Sequence, residues 1–149
     1  MSDIATGRTR MLDINALRPN NWYINRAKLN RMRSAWRAGT QDRLPPVCVT
    51  IIDGQYSLVD GHSRAYAAFE TGAMHIQAVI QELDQIEGSA ALYTHIHREG
   101  PGMGIRTLAD LQHRIVSART HRRLWVGYCT RWLAQNKPAA DSRSGNLPP

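Results

Sequence analysis

The densest chemistry of the chain lies in one run, Leu58-Val59-Asp60-Gly61-His62-Ser63-Arg64-Ala65. Its pattern is a strand, a tight loop and the start of a helix. A helix N-terminus presents backbone N–H groups without intrahelical partners and a partial positive charge, so it receives anions. Gly61 lets the backbone approach a ligand closely. Ser63 either caps the helix or gives its hydroxyl to a phosphate oxygen. Arg64 adds a charge-assisted fork. His62 is a donor to phosphate, or an acid or base near neutral pH. Asp60 is a Mg²⁺ ligand, a brace for Arg64 or a proton acceptor. The plain alternative is a strand-to-helix turn in which Asp60 and Ser63 only cap and Arg64 is solvated. Asp, Gly and Ser are ordinary turn residues, so composition alone does not choose.

The elements on either side must hold this loop. Arg10 to Ile14 reads as a first strand, broken by Pro19-Asn20-Asn21. Residues 26–37 read as a helix, with Leu29, Met32 and Trp36 on one face, and Gly39 ends it. Val47 to Ile52 is a β-branched run of the kind found in buried strands. Asp53-Gly54 is a hairpin turn, and Gln55 to Val59 the returning strand. Arg64 to Thr71 is helical, with Gly72 placed as a C-terminal glycine. His75 to Ile80 is a further strand. The rest reads as helical: Gln85 to Arg98, then a segment capped by Thr107 and Asp110, then a last helix capped by Ser117. That last helix carries Leu124, Trp125, Tyr128, Trp132 and Leu133 at core spacing. The pattern predicts an α/β fold: a small mixed sheet, a strand–phosphate-loop–helix unit and a C-terminal helical cap. One domain is expected over 10–136, flanked by tails at 1–9 and 137–149 that lack periodicity.

Composition narrows the partners without choosing one. The chain has 149 residues and 42% hydrophobic content, enough for one packed core. The net charge is +7, and of its nineteen basic residues seventeen are Arg, which suits phosphate. The charge is uneven: residues 1–59 hold nine basic groups against four acids, and residues 60–100 hold two against six. Arg26, Lys28, Arg31, Arg33 and Arg37 form either a nucleic-acid face or the solvated side of a helix. Cys48 and Cys129 have no Cys or His at metal-ligand spacing and read as reduced structural thiols. His95 and His97 are two apart and diverge on a helix, against a metal pair. No run is long enough for a membrane span, and Met1 to Arg10 lacks the apolar core of a signal peptide, so a cytoplasmic location is expected.

The stretch from Asp53-Gly54-Gln55-Tyr56 through Asp60-Gly61-His62-Ser63-Arg64-Ala65-Tyr66-Ala67-Ala68 resembles the ParB N-terminal and sulfiredoxin superfamily. Gly61, Arg64 and Ala68 match the nucleotide-contacting loop of ParB domains, while His62 and Ser63 depart from it. His62 stands where sulfiredoxin has its catalytic Cys, so the resemblance does not extend to sulfinic acid reduction. The Asp-Gly-His-x-Arg form is similar to that of ADP- or ATP-dependent free-serine kinases and of small stand-alone relatives. Leu17-Arg18-Pro19-Asn20 and the segments Gly104–Leu111 and Arg114–Ser117 extend the resemblance over most of residues 11–133.

The resemblance implies a nucleotide-dependent phosphotransferase acting on a small hydroxylated metabolite. It would use ATP or ADP with Mg²⁺. Gly61, Ser63 and Arg64 would hold phosphate, and Asp60 and His62 would serve catalysis, with Asp60 also on the metal. Asn21, Trp22 and Tyr23 lie where such a family binds its substrate, the two rings stacking on a base or packing under the loop. The related kinases use a Glu before the first helix as base. This chain offers Asn20, Asn21 and Asn25 there, and no Glu before Glu70. The other implied function is a non-catalytic, nucleotide-responsive or nucleic-acid-binding ParB-like module.

Overall fold

A computed structural model describes residues 8–137. The two expected tails lie outside the described residues, except that Arg8 and Thr9 already belong to the first strand and Lys137 follows the last helix.

Strand β1, Arg8–Asp13, is followed by a 3-10 turn at Ile14–Ala16 and a short β2, Leu17–Pro19. A two-residue β3, Ile24–Asn25, leads directly into helix α1, Arg26–Ala38. The Asn25 side chain caps α1 by accepting the Ala27 N–H, and Gly39, in the left-handed region at φ 72°, closes it. Strands β4, Val47–Ile52, and β5, Gln55–Asp60, form a hairpin. Asp53 and Gly54 both take positive φ, 52° and 77°, which is the primed turn that matches strand twist. Helix α2, His62–Glu70, follows β5, and β6, His75–Ile80, returns to the sheet.

The sheet order is β1-β6-β4-β5-β2. The β1–β6 and β4–β5 pairs are antiparallel, while β4–β6 and β5–β2 are parallel, so the sheet is mixed, as the pattern predicts. The α1–α2 pair covers one face over Leu12, Leu29, Val47, Val49, Leu58, Ala65 and Ala68. An ion pair from Arg33 to Glu70 ties α1 to α2 at the surface.

The second half departs from the expectation. The single helix over Gln85–Arg98 is not formed. A 3-10 turn at Leu83–Gln85 comes first, Gly88 takes φ 114°, and Ser89 then caps α3, Ala90–Glu99, by accepting the Leu92 N–H. Glycine at a left-handed position followed by a capping serine resets the helix start. After Thr107 there is only a 3-10 turn, Leu108–Leu111, whose Asp110 carboxylate accepts the Arg106 and Thr107 N–H groups. A two-residue strand β7, Ile115–Val116, then pairs in parallel with β3. The last helix is capped by Ser117 as expected. It runs as α4, Ala118–His121, a π turn at Arg122–Val126 and α5, Gly127–Gln135. Trp125 is buried, but Leu133 is 40% exposed, because the helix end overhangs the domain.

Candidate functional site

Strand β5 ends at Asp60, the chain turns at Gly61, and α2 starts at His62, two residues earlier than the sequence suggests. Gly61 itself is the N-cap, at φ 97°, so the expected side-chain cap from Ser63 is absent and Ser63 sits inside the first turn. A side chain at this position has no room: a Cβ on Gly61 would lie 2.7 Å from Val47 Cγ1 and 3.0 Å from Val47 Cβ. The loop is therefore pressed onto β4. The first helical bond runs from the Ala65 N–H to the Gly61 carbonyl at 2.8 Å. The N–H groups of His62, Ser63 and Arg64 thus precede the helical ladder and keep the donor character of a helix start.

This loop forms one wall of a cleft of about 330 Å³. Residues between Asn21 and Met32 and the run Leu44 to Val47 also line it. Its cations are Lys28, Arg31 and Arg64, joined by His121 from α4, and its only carboxylate is Asp60. Two of the five basic residues of α1 therefore face the cleft. Two others are engaged within the domain, Arg26 on the Ile115 carbonyl at 2.9 Å and Arg33 on Glu70.

Arg64 enters the cleft beside the Trp36 ring, with its guanidinium carbon 5.9 Å from the ring centroid. Its Nε is buried and has no hydrogen-bond partner, and no carboxylate pairs with it among the described residues. Burial disfavours its charge, and nearby Asp42 only partly offsets this. A buried guanidinium nitrogen without an acceptor is costly, and an anion in the cleft would relieve it. Asn21 Oδ1, also on the cleft, is likewise buried and unpartnered.

His62 turns inward. Its ring is 6% exposed, and its Nε2 accepts the Asn20 N–H at 3.0 Å. Burial pushes its pKa down to about 3, against a smaller raising effect of the Leu58 carbonyl. His62 braces the loop against the β2 end, and its burial favours the neutral ring. Asp60 is exposed at the rim and also lines a second cleft of about 380 Å³, with Cys48, Gln81, Glu87 and Tyr93.

Of the residues Asn21, Trp22 and Tyr23, Asn21 and Tyr23 line the cleft beside Gly61, and Tyr23 lies under the Arg114 guanidinium, 5.2 Å from its ring centroid. Trp22 does not. It is buried against Trp125 at 5.2 Å and Tyr128 at 5.1 Å, the packing alternative for this ring. The chain bends at Trp22, whose ring packs on the C-terminal helices while Asn21 and Tyr23 line the cleft. His121 was not singled out in the sequence. Its pKa is lowered by burial and by Lys28, with the Tyr23 carbonyl opposing. It lies nearly sixty residues after the loop, and only the tertiary fold brings it there.

The thiols behave as expected. The Cys48 thiol donates to Gln81 Oε1 at 3.1 Å, and burial raises its pKa. Burial pushes Cys129 up to about 11. Neither is activated as a thiolate. Among the described residues, no group of three or more His, Cys, Asp or Glu is placed to hold a metal ion, and no helix is long and apolar enough to cross a membrane.

Several solved structures are similar. Protein Atu1540 from Agrobacterium tumefaciens shares 17% identity at a TM-score of 0.46, covering 70% of this chain and 61% of its own. Sulfiredoxin from Arabidopsis thaliana shares 19% at 0.43, covering 60% and 96%. The C-terminally truncated chromosome-partitioning protein ParB from Caulobacter crescentus, complexed with CTP-gamma-S, shares 19% at 0.43, covering 65% and 54%. The chain thus spans less than two thirds of the Agrobacterium and Caulobacter proteins. No curated protein matches in sequence. The family model of the ParB N-terminal domain matches residues 2–94, more than half of the chain and all of the sheet and phosphate loop, so the chain belongs to the ParB N-terminal domain family.

Proposed function

We propose that this domain holds a nucleotide by its phosphates at Gly61, Ser63 and Arg64 and passes a phosphoryl group to a small hydroxyl-bearing acceptor. The observation that carries the binding part is Arg64, a half-buried guanidinium on the cleft at a helix start, whose buried Nε has no partner. Lys28 and Arg31 supply further positive charge on the same cleft. Asn21 and Tyr23 line the same cleft and serve the nucleotide or acceptor. What supports transfer is the position of Asp60, shared by the cationic cleft and the second cleft, where an acceptor has room. The acceptor oxygen bonds to phosphorus, the bond to the departing nucleotide breaks, and the acceptor proton passes to Asp60. Phosphoryl transfer depends mainly on positioning and charge neutralisation. A Mg²⁺ ion fits here as a second neutralising charge, because it is usually held by one or two carboxylates plus phosphate oxygens, and Asp60 supplies the carboxylate.

The other reading is a non-catalytic nucleotide-responsive or nucleic-acid-binding module. It is favoured by the neutral state of His62 and by Asp60 being the only carboxylate on the cleft. Asp60→Asn separates the two. The variant keeps its fold and binds ATP, ADP or CTP in a thermal-shift titration with Mg²⁺. On the transferase reading its phosphate transfer to hydroxy amino acids falls about 10²-fold or more, the scale for removing a proton acceptor. No transfer by the wild type leaves the binding-module reading, and full transfer by the variant removes Asp60 as the proton acceptor.

A further inference from the structure

We propose that the cleft between Arg18 and Arg106 is a second anion site, separate from the phosphate loop, that takes a small phosphate- or carboxylate-bearing ligand. This cleft has about 570 Å³ and lies among the residues before β2, the β4–β5 turn and the Pro101–Arg106 segment. Arg18, Arg106, Asn15, Gln55 and Tyr56 line it together with small residues, and no acid does.

Arg18 is held in place before any ligand arrives. Its Nη1 donates to Gln55 Oε1 and its Nη2 to the His97 carbonyl, both at 2.6 Å. Gln55 Oε1 also meets His97 Nε2 at 3.2 Å, and His97 Nδ1 meets Ser57 Oγ at 3.0 Å. Ser57 Oγ in turn accepts from Asn20 Nδ2 at 2.9 Å. The proton order follows from the donors. Gln55 Oε1 can only accept, so His97 Nε2–H donates to it, and with the ring neutral Nδ1 accepts from the Ser57 hydroxyl. Burial, and then Arg18, lowers the His97 pKa and favours that neutral ring. A guanidinium fixed this way has already lost its side-chain freedom, which lowers the cost of binding.

The charge of Arg18 is nevertheless unanswered. Both of its bonds go to neutral acceptors, and its buried Nε has no partner. Asp53, the acid whose field reaches it, is taken by Arg98 through two bonds of 2.9 Å. Arg106 is exposed and forms no ion pair among the described residues. Burial first, and then Arg106, disfavours the charged form of Arg18. Arg33 and Arg98 are each closed by a bidentate carboxylate. Arg18 and Arg106 instead face one cleft with no carboxylate between them, which a bound anion would supply.

Amide NMR titrations at fixed ionic strength test this, with inorganic phosphate in one series and succinate in another. The proteins are the wild type, Arg64→Ala and Arg106→Gln. Saturable shifts of the Gly54, Gln55 and Arg106 amides are expected in the wild type and in Arg64→Ala with at least one of the two anions, which also tells phosphate from carboxylate ligands. Arg106→Gln weakens that binding by about tenfold or more, the scale of one charge-assisted hydrogen bond. Its exposed side chain leaves the rest of the spectrum in place, and Arg106→Glu should abolish the shifts. Shifts that never saturate with either anion, or that are equal in Arg106→Gln, overturn the proposal. Amides of residues 61–64 report the phosphate loop independently, so their silence would sink the nucleotide reading without touching this one.

Discussion

The inner and outer sides of the Gly61–Arg64 loop use adjacent residues for opposite purposes. On the inner side every group is satisfied. Gly61 is pressed against Val47, and the His62 ring is buried with its Nε2 on the Asn20 N–H. On the outer side the groups are open. Arg64 Nε has no partner, Ser63 makes no cap, and the first N–H groups of α2 lie outside the helical ladder. The difference teaches that a motif read from sequence mixes residues that hold the loop with residues left open to the cleft. Only burial and hydrogen bonding separate them. Changes on the inner side should therefore act on stability, and changes on the outer side on binding.

The largest effect expected is on the inner side, at His62. Its folded pKa of about 3 lies below the ordinary unfolded value of about 6.5, so the folded state refuses a proton that the unfolded state takes. Stability attributable to His62 is complete above pH 6.5 and is lost as pH falls toward 3. The full loss is roughly 4–5 kcal/mol. His97 and His121 are shifted in the same direction, and Asp53 and Asp110, with lowered pKa values, also lose stability on acidification. Denaturant midpoints at several pH values separate His62 from these. His62→Gln should be less stable at pH 7.5 by about 2–3 kcal/mol, through lost packing and an altered buried hydrogen bond. Its stability should also fall less steeply below pH 6.5. An unchanged slope would return His62 to the outer side.

Gly61→Ala comes next. A left-handed φ of 97° costs an alanine about 1–3 kcal/mol. The overlap with Val47 adds to this, because its Cβ and Cα also lie close and cannot swing away as a flexible chain end would. Urea unfolding should show a loss of about 2–4 kcal/mol with an unchanged m-value.

On the outer side, Arg64→Ala should leave the urea midpoint nearly unchanged, since the side chain makes no hydrogen bond or ion pair in the folded state. Nucleotide affinity by calorimetry should drop by about 1.5–3 kcal/mol, the range for a hydrogen bond to a charged group. A variant that loses stability but not affinity would erase the distinction between the two sides.

The first half of the chain was legible because its signals are local. The strand limits at Val47–Ile52 and His75–Ile80, the Asp53-Gly54 turn and the glycines after α1 and α2 each follow from adjacent residue types. The segment after Ile80 was not, because its structure is set by tertiary contacts. Ile115 and Val116 form a strand only because Ile24 and Asn25 lie beside them. The strand–glycine–helix turn at Gly61 was legible, but the sorting within it was not. Nothing local tells that His62 turns inward toward Asn20, forty-two residues away in sequence. Trp22 and Tyr23 could not be told apart for the same reason, since the helix that buries Trp22 begins about a hundred residues later. Lys28 and Arg31 were visible as one turn of a basic helix face, yet their role depends on the cleft they share with Arg64.

Those two residues give the smallest and most discriminating test of the outer side. Arg31 is exposed, in contrast to the half-buried Arg64, although both line the same cleft. An exposed charge acts through solvent, so its contribution to binding a nucleotide is about 0.2–1 kcal/mol. Arg31→Ala should therefore weaken nucleotide binding only two- to fivefold or so at low salt. The contrast with Arg64 lies in how salt acts on each. Raising the ionic strength from about 0.01 M to 1 M shortens the screening length from roughly 30 Å to 3 Å. The Arg31 effect should vanish over that range. Most of the Arg64 effect should persist, because a direct, partly buried contact is screened far less. Calorimetry of both variants across salt concentrations reads this directly. If the Arg64 effect vanishes with salt as the Arg31 effect does, then Arg64 acts only as a distant charge, and the anion is not seated on the helix start.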